Sequence, residues 1–445
     1  MFNLASIDPQ GLAWRGAIFL FFGEVAALLA LPNLMRVVVF STIAEIGWLL
    51  VGFGLGGDAG STGAFMHLGY QVVMRGLVLV TGWYLVRRVR SSRLTDLAGI
   101  AAKLPVPSTL FAFGLFATMG LSPFKGSFSR FMILYSAIEQ GHLALALTGT
   151  AAAIVASIYY VIVVQRLCFE TPARVIEPAP APVLALPIAW VLAALTAILG
   201  VWPEPLVDLS AHFAGLADAA RLPHFEAPWS ATVLVPYVGA FAIFALGRFN
   251  ERLCDAAAVV LAIATLAVVV LDPSLEPASR LFAVIFAGIG AVMVIYSVDY
   301  IAASHARDRY WFFAFLMIGS LVGLTTAHEL GNFYLFWELM TWSSWALVVH
   351  EQTPKALRAG LVYFVMCAGG AYVMHLGILL AHAQVGSFEF AALASALPGA
   401  TPAVGIGIVA CFLVGFAVKA GLVPLDRKST RLNSSHTDIS RMPSS

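Results

Sequence analysis

The sequence is poor in charged residues. Of its 445 residues, 11% are charged and 60% are hydrophobic, whereas average soluble domains carry about 25% charged and about 45–50% apolar residues. A soluble globule of this length would need many more polar side chains to cover its surface. The composition therefore excludes an ordinary soluble protein and indicates a polytopic membrane protein.

Several other signals are missing. The net charge of +1 comes without the basic stripe of a nucleic-acid-binding protein, so we predict no nucleic-acid partner. The four cysteines form no CxxC pair, which argues against a disulfide framework and against zinc or iron–sulfur sites. We therefore predict no metal and no bound cofactor. The first ten residues are not basic, so no cleaved signal peptide is expected.

Long hydrophobic runs dominate the sequence instead. A helix needs roughly 20 apolar residues to cross a bilayer, and it satisfies its backbone hydrogen bonds without water. The runs predict an all-α polytopic membrane protein with about thirteen transmembrane helices. They lie at about 17–31, 37–55, 66–86, 107–136, 146–165, 184–202, 231–247, 253–271, 281–299, 310–327, 330–349, 360–382 and 403–425.

Two charged residues lie deep inside predicted spans of the second half. A charge at mid-membrane is costly unless it is paired or hydrated, so such a residue is a functional candidate. Glu338 lies near the middle of the 330–349 span. Lys419 lies in the last span, shortly before Pro424, and a proline tends to kink or break a helix. We predict a broken helix near 419–424.

The 107–136 run is too long for one straight crossing. Its stretch GLSPFKGSFSRF contains Lys125 and Arg130 beside a proline and two glycines. Freed backbone groups at membrane depth are tolerated only within protein or around a wet cavity. The sequence therefore predicts a second broken helix near 122–126.

The third group of ionisable residues lies in the first three spans. His67, Gln71 and Arg75 recur every four residues, which places them on one face of the helix. Glu24 and Glu45 lie in the two preceding spans. Buried Glu, Lys and His can exchange protons near neutral pH, whereas arginine keeps its proton. Together with Glu338 and Lys419, these residues suggest a proton relay in which the arginines are fixed counter-charges.

Each of these residues also has a structural interpretation. Glu338 could simply pair with a cation and hold two helices together. Arg75 could extend to the membrane surface, and His67, near a helix end, could be an ordinary interfacial histidine. The tryptophans around Trp337 are more typical of packing and of interface anchoring than of a cofactor site.

Two motifs of the second half resemble those of a known family. The segments are FWELMTWSSWALVVHEQTPKALRAGLVYF and FAVKAGLVPL. They resemble the antiporter-like membrane subunits of respiratory complex I, of energy-converting hydrogenase and formate hydrogenlyase complexes, and of multisubunit sodium/proton antiporters. The resemblance implies two inverted repeats of helices, each with a broken helix. It places Glu338 at the essential glutamate of the family and Lys419 at its central lysine.

Motifs of the first half resemble the other end of the same family fold. LPNLMRVVVFSTIAEIG resembles the family's DLKRLLAYSSIAHMG, with Glu45 replacing a usual residue. HLGYQVVMRGLVLV resembles the eighth-helix pattern HLxxHAxFKALLF, with His67 at its first histidine but Gln71 and Arg75 at the next two positions. GLSPFKGSFSRF resembles the broken twelfth helix, with Arg130 where lysine or glutamate is usual.

The order of these motifs is inverted relative to the family. We interpret residues 1–222 as the C-terminal part of one antiporter-like domain and residues 223–425 as the N-terminal part of a second. Residues 426–445 are polar and rich in serine and arginine. They resemble translated sequencing adapter, and we expect a non-native tail; a natural disordered tail is the alternative.

The resemblance implies a proton-translocating membrane subunit of a redox-driven complex, similar to NADH:quinone oxidoreductase or to energy-converting hydrogenase. Such a subunit holds no redox cofactor itself. It works in the lipid bilayer of the cell inner (cytoplasmic) membrane with other membrane subunits and a peripheral redox module. The predicted relay residues are Glu338, Lys419, His67, Arg75, Lys125, Arg130 and Glu45.

Three alternatives stay open at this point. Broken helices at mid-membrane also suit a subunit of a multisubunit cation/proton antiporter or a self-contained secondary transporter. His375 and His382 lie on one helix face, as they would in a membrane haem protein, although no second histidine pair accompanies them. The chain could also be a fragment with no activity alone.

Overall fold

The computed structural model describes residues 8–120, 126–172, 182–216, 222–223, 229–302 and 306–422. Within these ranges the chain forms seventeen α-helices, and its β-structure is limited to two isolated bridges. The all-α fold predicted from the hydrophobic runs is confirmed.

Nine helices belong to the first half of the chain. They are α1 Pro9–Leu29, α2 Leu34–Leu55, α3 Gly57–Tyr70, α4 Gly76–Val89, α5 Pro105–Met119, α6 Gly126–Glu139, α7 Leu143–Cys168, α8 Ala185–Val201 and α9 Glu204–Phe213. A π-helical turn, Gln71–Arg75, joins α3 to α4 without a break in the helix. Such turns occur in α-helices frequently at functional sites.

Eight helices belong to the second half. They are α10 Ala231–Gly247, α11 Glu251–Leu271, α12 Pro277–Ile301, α13 Arg307–Thr326, α14 Leu330–Val348, α15 Pro354–Val385, α16 Phe390–Ala396 and α17 Pro402–Ala420. Short 3₁₀ turns at Ile100–Ala102 and Leu397–Gly399 complete the helical elements of the described ranges.

Every predicted hydrophobic run coincides with a described helix. By length and composition, nine of the helices in the described ranges can each cross a membrane alone: α1, α2, the continuous α3–α4, α7, α11, α12, α13, α15 and α17. Helices α5 and α10 have only 15 and 17 residues. This finding confirms a polytopic membrane protein.

The break predicted near 122–126 falls between α5 and α6. Helix α5 ends at Met119, and Gly120 has a φ of +76°, a left-handed conformation that ends many helices. Helix α6 begins at Gly126. Residues 121–125, including Lys125, lie outside the described ranges.

The break predicted near 419–424 falls at the end of α17. Lys419 lies in the last turn of this helix, which ends at Ala420. Gly421 follows with a φ of +64°. Pro424 and the remainder of the predicted break lie outside the described ranges, as do residues 426–445.

The structure contains one bend that the sequence analysis did not predict. Helices α8 and α9 meet at 85°. Trp202, between them, is close to extended, with φ −126° and ψ 80°. The residue before a proline is pushed out of the helical region, and Pro203 follows Trp202. The predicted span at 184–202 is therefore the first arm of a bent pair of helices.

Helices α1 and α2 approach each other closely at small residues. A Cβ added to Gly23 would lie 2.7 Å from the backbone nitrogen of Ala44, and one added to Gly16 would lie 2.6 Å from that of Val51. Only glycine permits so close a backbone approach. Because Gly23 touches Ala44, the neighbouring residues Glu24 and Glu45 lie at the same crossing.

The two halves of the chain pack against each other through α15, which contacts α6 and α7. Tyr372 on α15 donates its hydroxyl to the carbonyl of Met119 at 3.1 Å. The side-chain amide of Gln165 on α7 donates to the carbonyl of Leu357 at 2.9 Å. Helix–helix packing therefore joins the end of the broken helix α5 to the second half.

Candidate functional site

A buried carboxylate on α2 lies at the centre of an ion cluster in the first half. Glu45 is 3% exposed. Its Oε1 accepts a hydrogen bond from Arg75 Nη2 at 3.1 Å and one from Arg130 Nη2 at 2.6 Å. Its Oε2 lies 3.0 Å from His67 Nε2. Three residues that the sequence predicts for the relay, His67, Arg75 and Arg130, therefore meet at the carboxylate of a fourth, Glu45.

Arg130 also holds the end of the broken helix. Its guanidinium donates to the carbonyls of Thr118 and Met119, both at 2.8 Å. These carbonyls belong to the last turn of α5, where helices leave carbonyl groups without a partner and where a positive charge is favourable. Arg130 therefore connects the broken helix to Glu45, and its guanidinium lies 5.5 Å from the centre of the Trp48 ring.

Arg75 lies at the end of the π-helical turn and contacts three further polar side chains. It donates to the hydroxyl of Ser41 at 2.8 Å, to that of Tyr160 at 3.2 Å and to the amide oxygen of Gln71 at 3.4 Å. Arg75 is only 5% exposed. A side chain held this way does not extend to the membrane surface, so the structural alternative for Arg75 is wrong.

His67 connects the cluster to a hydroxyl group on α6. Its Nδ1 lies 3.0 Å from Ser129 Oγ, while its Nε2 faces Glu45. The side chain is 1% exposed. Neutral imidazole has one donor and one acceptor nitrogen, so a proton can be taken up on one side and released on the other. The interfacial alternative for His67 is likewise wrong, because the ring is buried among charged partners.

A second buried carboxyl lies close to this cluster. Glu24 on α1 is 1% exposed and accepts a hydrogen bond of 2.6 Å from the hydroxyl of Tyr159. The ring of Tyr159 lies 4.4 Å from that of Tyr160, which contacts Arg75. The hydrogen bond joins residues 135 positions apart in sequence, so no local pattern could reveal it.

In the second half, Lys419 is surrounded by aromatic rings. Its ammonium lies 5.8 Å from the centre of the Trp337 ring and 5.6 Å from that of Tyr363, within the range of a cation–π interaction. It also lies 3.5 Å from the Tyr363 hydroxyl. Glu338, 1% exposed on α14, follows Trp337 directly. In the described part of the chain, these aromatic contacts hold the Lys419 ammonium.

A small cavity lies where the two halves meet. Its volume is about 20 Å³, which is enough for about one water molecule. The polar side chains around it come from both halves. The lining residues are Trp48, Gly120, Arg130, Leu134, Thr150, Ala153, Tyr334, Tyr372 and His375. The cavity therefore adjoins the Glu45 cluster on one side and the α14–α15 region on the other.

The structure thus places the predicted site residues in three ways. It brings Glu45, His67, Arg75 and Arg130 together, and it places Glu338 and Lys419 in the second half. Lys125 lies outside the described residues. The sequence analysis named Glu24 but missed its tyrosine partner and the cavity. Among the residues that the structure describes, no group of three His, Cys, Asp or Glu is arranged to hold a metal ion.

Comparison with known proteins gives several curated relatives. The chain is 25% identical over 209 residues to NADH-quinone oxidoreductase subunit N 1 of Chloroherpeton thalassium, covering 46% of this chain and 42% of the relative. It is 31% identical over 193 residues to NADH-quinone oxidoreductase subunit N of Geobacter metallireducens, covering 42% and 40%. The chain thus spans less than half the length of the curated relatives it matches.

One solved structure also resembles the chain. It is the Mrp complex from a Dietzia species, with 16% identity and a TM-score of 0.39, covering 96% of this chain and 49% of that one.

A family model described as NADH:quinone oxidoreductase/Mrp antiporter, TM, matches residues 8–156 and 327–427. The two stretches together make up more than half of the chain, and they contain Glu45, His67, Arg130, Glu338 and Lys419. The motifs quoted from both halves fall within them. The chain belongs to the NADH:quinone oxidoreductase/Mrp antiporter transmembrane family.

Proposed function

We propose that the chain is a proton-translocating membrane subunit of a redox-driven complex, similar to NADH:quinone oxidoreductase or to energy-converting hydrogenase. In this proposal it carries protons and holds no redox cofactor. It acts in the cell inner membrane beside other membrane subunits, with electrons handled by a peripheral redox module. The relatives named above are subunits of NADH-quinone oxidoreductase, which supports this assignment.

One observation carries the proposal: the buried cluster around Glu45. A charged group inside the membrane is costly, and such residues mark proton or ion pathways. Here a carboxylate, a histidine and two guanidiniums lie within hydrogen-bonding distance in the first half. Because arginine does not release its proton, Arg75 and Arg130 serve as fixed charges. In the proposed relay His67 carries the proton, and Glu338, Lys419 and Lys125 complete the set.

The cavity at the α6–α15 contact offers a connection between the halves. It has Arg130 on one side and Tyr334, Tyr372 and His375 on the other. The Tyr334 and His375 rings stack at 5.0 Å, and Tyr334 lies one helical turn before Glu338. In this proposal a water in the cavity, with these hydroxyl and imidazole groups, extends the proton path from Glu338 as far as the cavity, where Arg130 is a fixed charge that links the cavity electrostatically to the Glu45 cluster.

We further propose that the chain combines two partial antiporter-like domains, residues 1–222 and 223–425, with residues 426–445 as a non-native tail. The two separate stretches of the family match, 8–156 and 327–427, support the division, because the proposed boundary lies between them. A direct check is the neighbouring sequence of the parent DNA, which shows whether the codons for residues 426–445 belong to the natural gene.

The proposal is tested by proton pumping of the intact complex reconstituted in liposomes. Glu338→Gln or Lys419→Ala should abolish pumping, because each removes a proton-carrying group. Glu276→Gln is the matched control, since Glu276 lies in the exposed connection before α12 and should leave pumping intact. Unchanged pumping in Glu338→Gln and Lys419→Ala would contradict the assignment.

A second candidate is a cation/proton antiporter subunit, because the family includes Mrp antiporters. The same liposomes distinguish the two candidates. Sodium-dependent proton movement without a redox substrate, lost in Lys419→Ala, would favour the antiporter. Ion exchange by the purified chain without other subunits would favour a self-contained transporter.

A further inference from the structure

The two buried arginines of the first half share one directly contacting carboxylate. Arg75 and Arg130 both donate to Oε1 of Glu45, and both are 5–6% exposed. Each guanidinium keeps its charge because arginine does not lose its proton. With His67 neutral, two positive charges therefore face one negative charge. An uncompensated buried charge destabilises a protein strongly, so a second negative charge nearby is favourable.

Glu24 is placed to supply that charge. It lies at the crossing of α1 and α2, beside the close contact of Gly23 with Ala44, and its partner Tyr159 lies beside Tyr160, which contacts Arg75. Its one hydrogen-bond donor in the described residues is Tyr159. Glu45, in contrast, is bonded by two guanidiniums and a histidine. Of the two carboxyl groups, Glu24 is the one with no direct cation partner among the described residues.

We propose that Glu24 is a proton-binding site of the first half whose charge state follows that of the Glu45 cluster. This inference rests on the proposed function, since it names a further group that holds a proton. Ionised Glu24 balances the second arginine. When His67 takes up a proton, the cluster becomes more positive and ionised Glu24 is favoured. When His67 is neutral again, the cluster is less positive, so Glu24 takes up a proton more readily than it does beside a charged His67.

The coupling between Glu24 and His67 acts through the electric field. The contacts that link them run from Glu24 through Tyr159, Tyr160, Arg75 and Glu45 to His67. A proton cannot pass through Arg75, because its guanidinium has no acceptor site and does not deprotonate. The charge on His67 can still change the proton affinity of Glu24, because electrostatic interactions are strong in a medium of low polarity. Tyr159 therefore positions the Glu24 carboxyl. No proton path runs from this carboxyl through Tyr159 and Arg75 to the cluster.

The test is infrared difference spectroscopy of the full chain in lipid nanodiscs, recorded over a series of pH values. A protonated carboxyl has its own carbonyl stretching band, and an ionised one does not. We expect a pH-dependent carboxyl band that is lost in Glu24→Gln. In Tyr159→Phe the band should shift to higher frequency, because the hydrogen bond that weakens the carbonyl bond is removed. Glu139→Gln, at an exposed helix end, should leave this band unchanged.

A pH-dependent band that persists unchanged in Glu24→Gln, or the absence of any such band in the unsubstituted chain, would overturn the proposal. Tyr159→Phe keeps the test valid if Glu24→Gln does not fold, since an unshifted band in that variant would also count against it. None of these measurements requires pumping. Loss of pumping activity and loss of the Glu24 band are therefore separate results, and either proposal can fail alone.

Discussion

The two halves of the chain hold their buried charges differently. In the first half Glu45 forms ion pairs with Arg75 and Arg130 at 3.1 and 2.6 Å. In the second half Lys419 lies over the faces of two aromatic rings, more than 5 Å from each ring centre. In the most apolar stretch of α2, the helix that carries Glu45, 56% of the residues are buried. In the corresponding stretch of α17, the helix that carries Lys419, 11% are buried.

The difference indicates that charge pairing follows helix packing. The side chains of the Glu45 cluster come from three packed helical segments. Helix α2 contributes the carboxylate, the continuous α3–α4 contributes His67 and Arg75, and α6 contributes Arg130. Helix α17 packs chiefly against α15, and among the described residues Lys419 has the rings of Trp337 and Tyr363 as its neighbours. Ion pairs hold the first site together, whereas cation–π contacts hold Lys419 in the second.

Removing Glu45 should have the largest effect on stability among the variants that test this difference. Glu45→Ala leaves two buried guanidiniums without their carboxylate, and we expect a loss of about 3–5 kcal/mol in the free energy of unfolding. Denaturant unfolding of the purified chain in detergent measures this loss. Glu139→Gln, at the exposed end of α6, is the control. A loss below that of any other variant described here would contradict the ion-cluster account.

Arg130→Lys should have the next largest effect. Lysine keeps the positive charge but cannot bond to Glu45 and to the carbonyls of Thr118 and Met119 with one fixed geometry. Hydrogen bonds to charged groups contribute about 1.5–3 kcal/mol each, and we expect a loss of about 2–3 kcal/mol in the same unfolding measurement. If the lysine variant were as stable as the parent chain, Arg130 would act through its charge alone.

Gly23→Ala tests whether the close crossing of α1 and α2 positions the acidic residues. The added methyl group would meet the backbone of Ala44, which cannot move as a side chain can. Overpacking of this kind costs about 1–3 kcal/mol, and we expect about 2 kcal/mol. Gly288→Ala on α12 is the matched control, because nothing lies within 4 Å of its added Cβ; equal stability losses in both variants would contradict the packing argument.

Tyr363→Phe should have the smallest effect. The ring over which Lys419 lies is kept, and only the hydroxyl is lost, with its 3.5 Å contact to Lys419 and its 2.6 Å contact to Ser344. We expect a loss of about 1 kcal/mol or less in unfolding free energy. A loss as large as that of Arg130→Lys would mean that the hydroxyl, rather than the aromatic faces, holds the lysine.

Much of the fold could be predicted from the sequence because lipid imposes a simple rule. Hydrophobic runs become helices, since no other open structure satisfies the backbone in a bilayer. The break after Met119 was visible as a proline and two glycines in a run too long for one crossing. The bend at Trp202 also had a local signal, Pro203 and Pro205, which the predicted span boundary obscured.

Spacing within a helix carried information about which of the candidate side chains lie close together. His67 and Arg75 share a helix face, and both contact Glu45. The π-helical turn that ends at Arg75 left no recognisable pattern, because it depends on tertiary contacts. The Tyr159–Glu24 hydrogen bond and the cavity depend on helices far apart in sequence. The surroundings of Lys419 depend in the same way on how α14, α15 and α17 pack together.

The central claim is that the buried cluster around Glu45 takes part in proton translocation. The most direct measurement is the number of protons pumped per electron transferred by the intact complex in liposomes, with His67→Gln compared with the parent chain. Glutamine can retain a hydrogen bond to Glu45 but cannot carry a proton. We predict that the ratio falls while electron transfer continues. A ratio identical to that of the parent chain would contradict the claim.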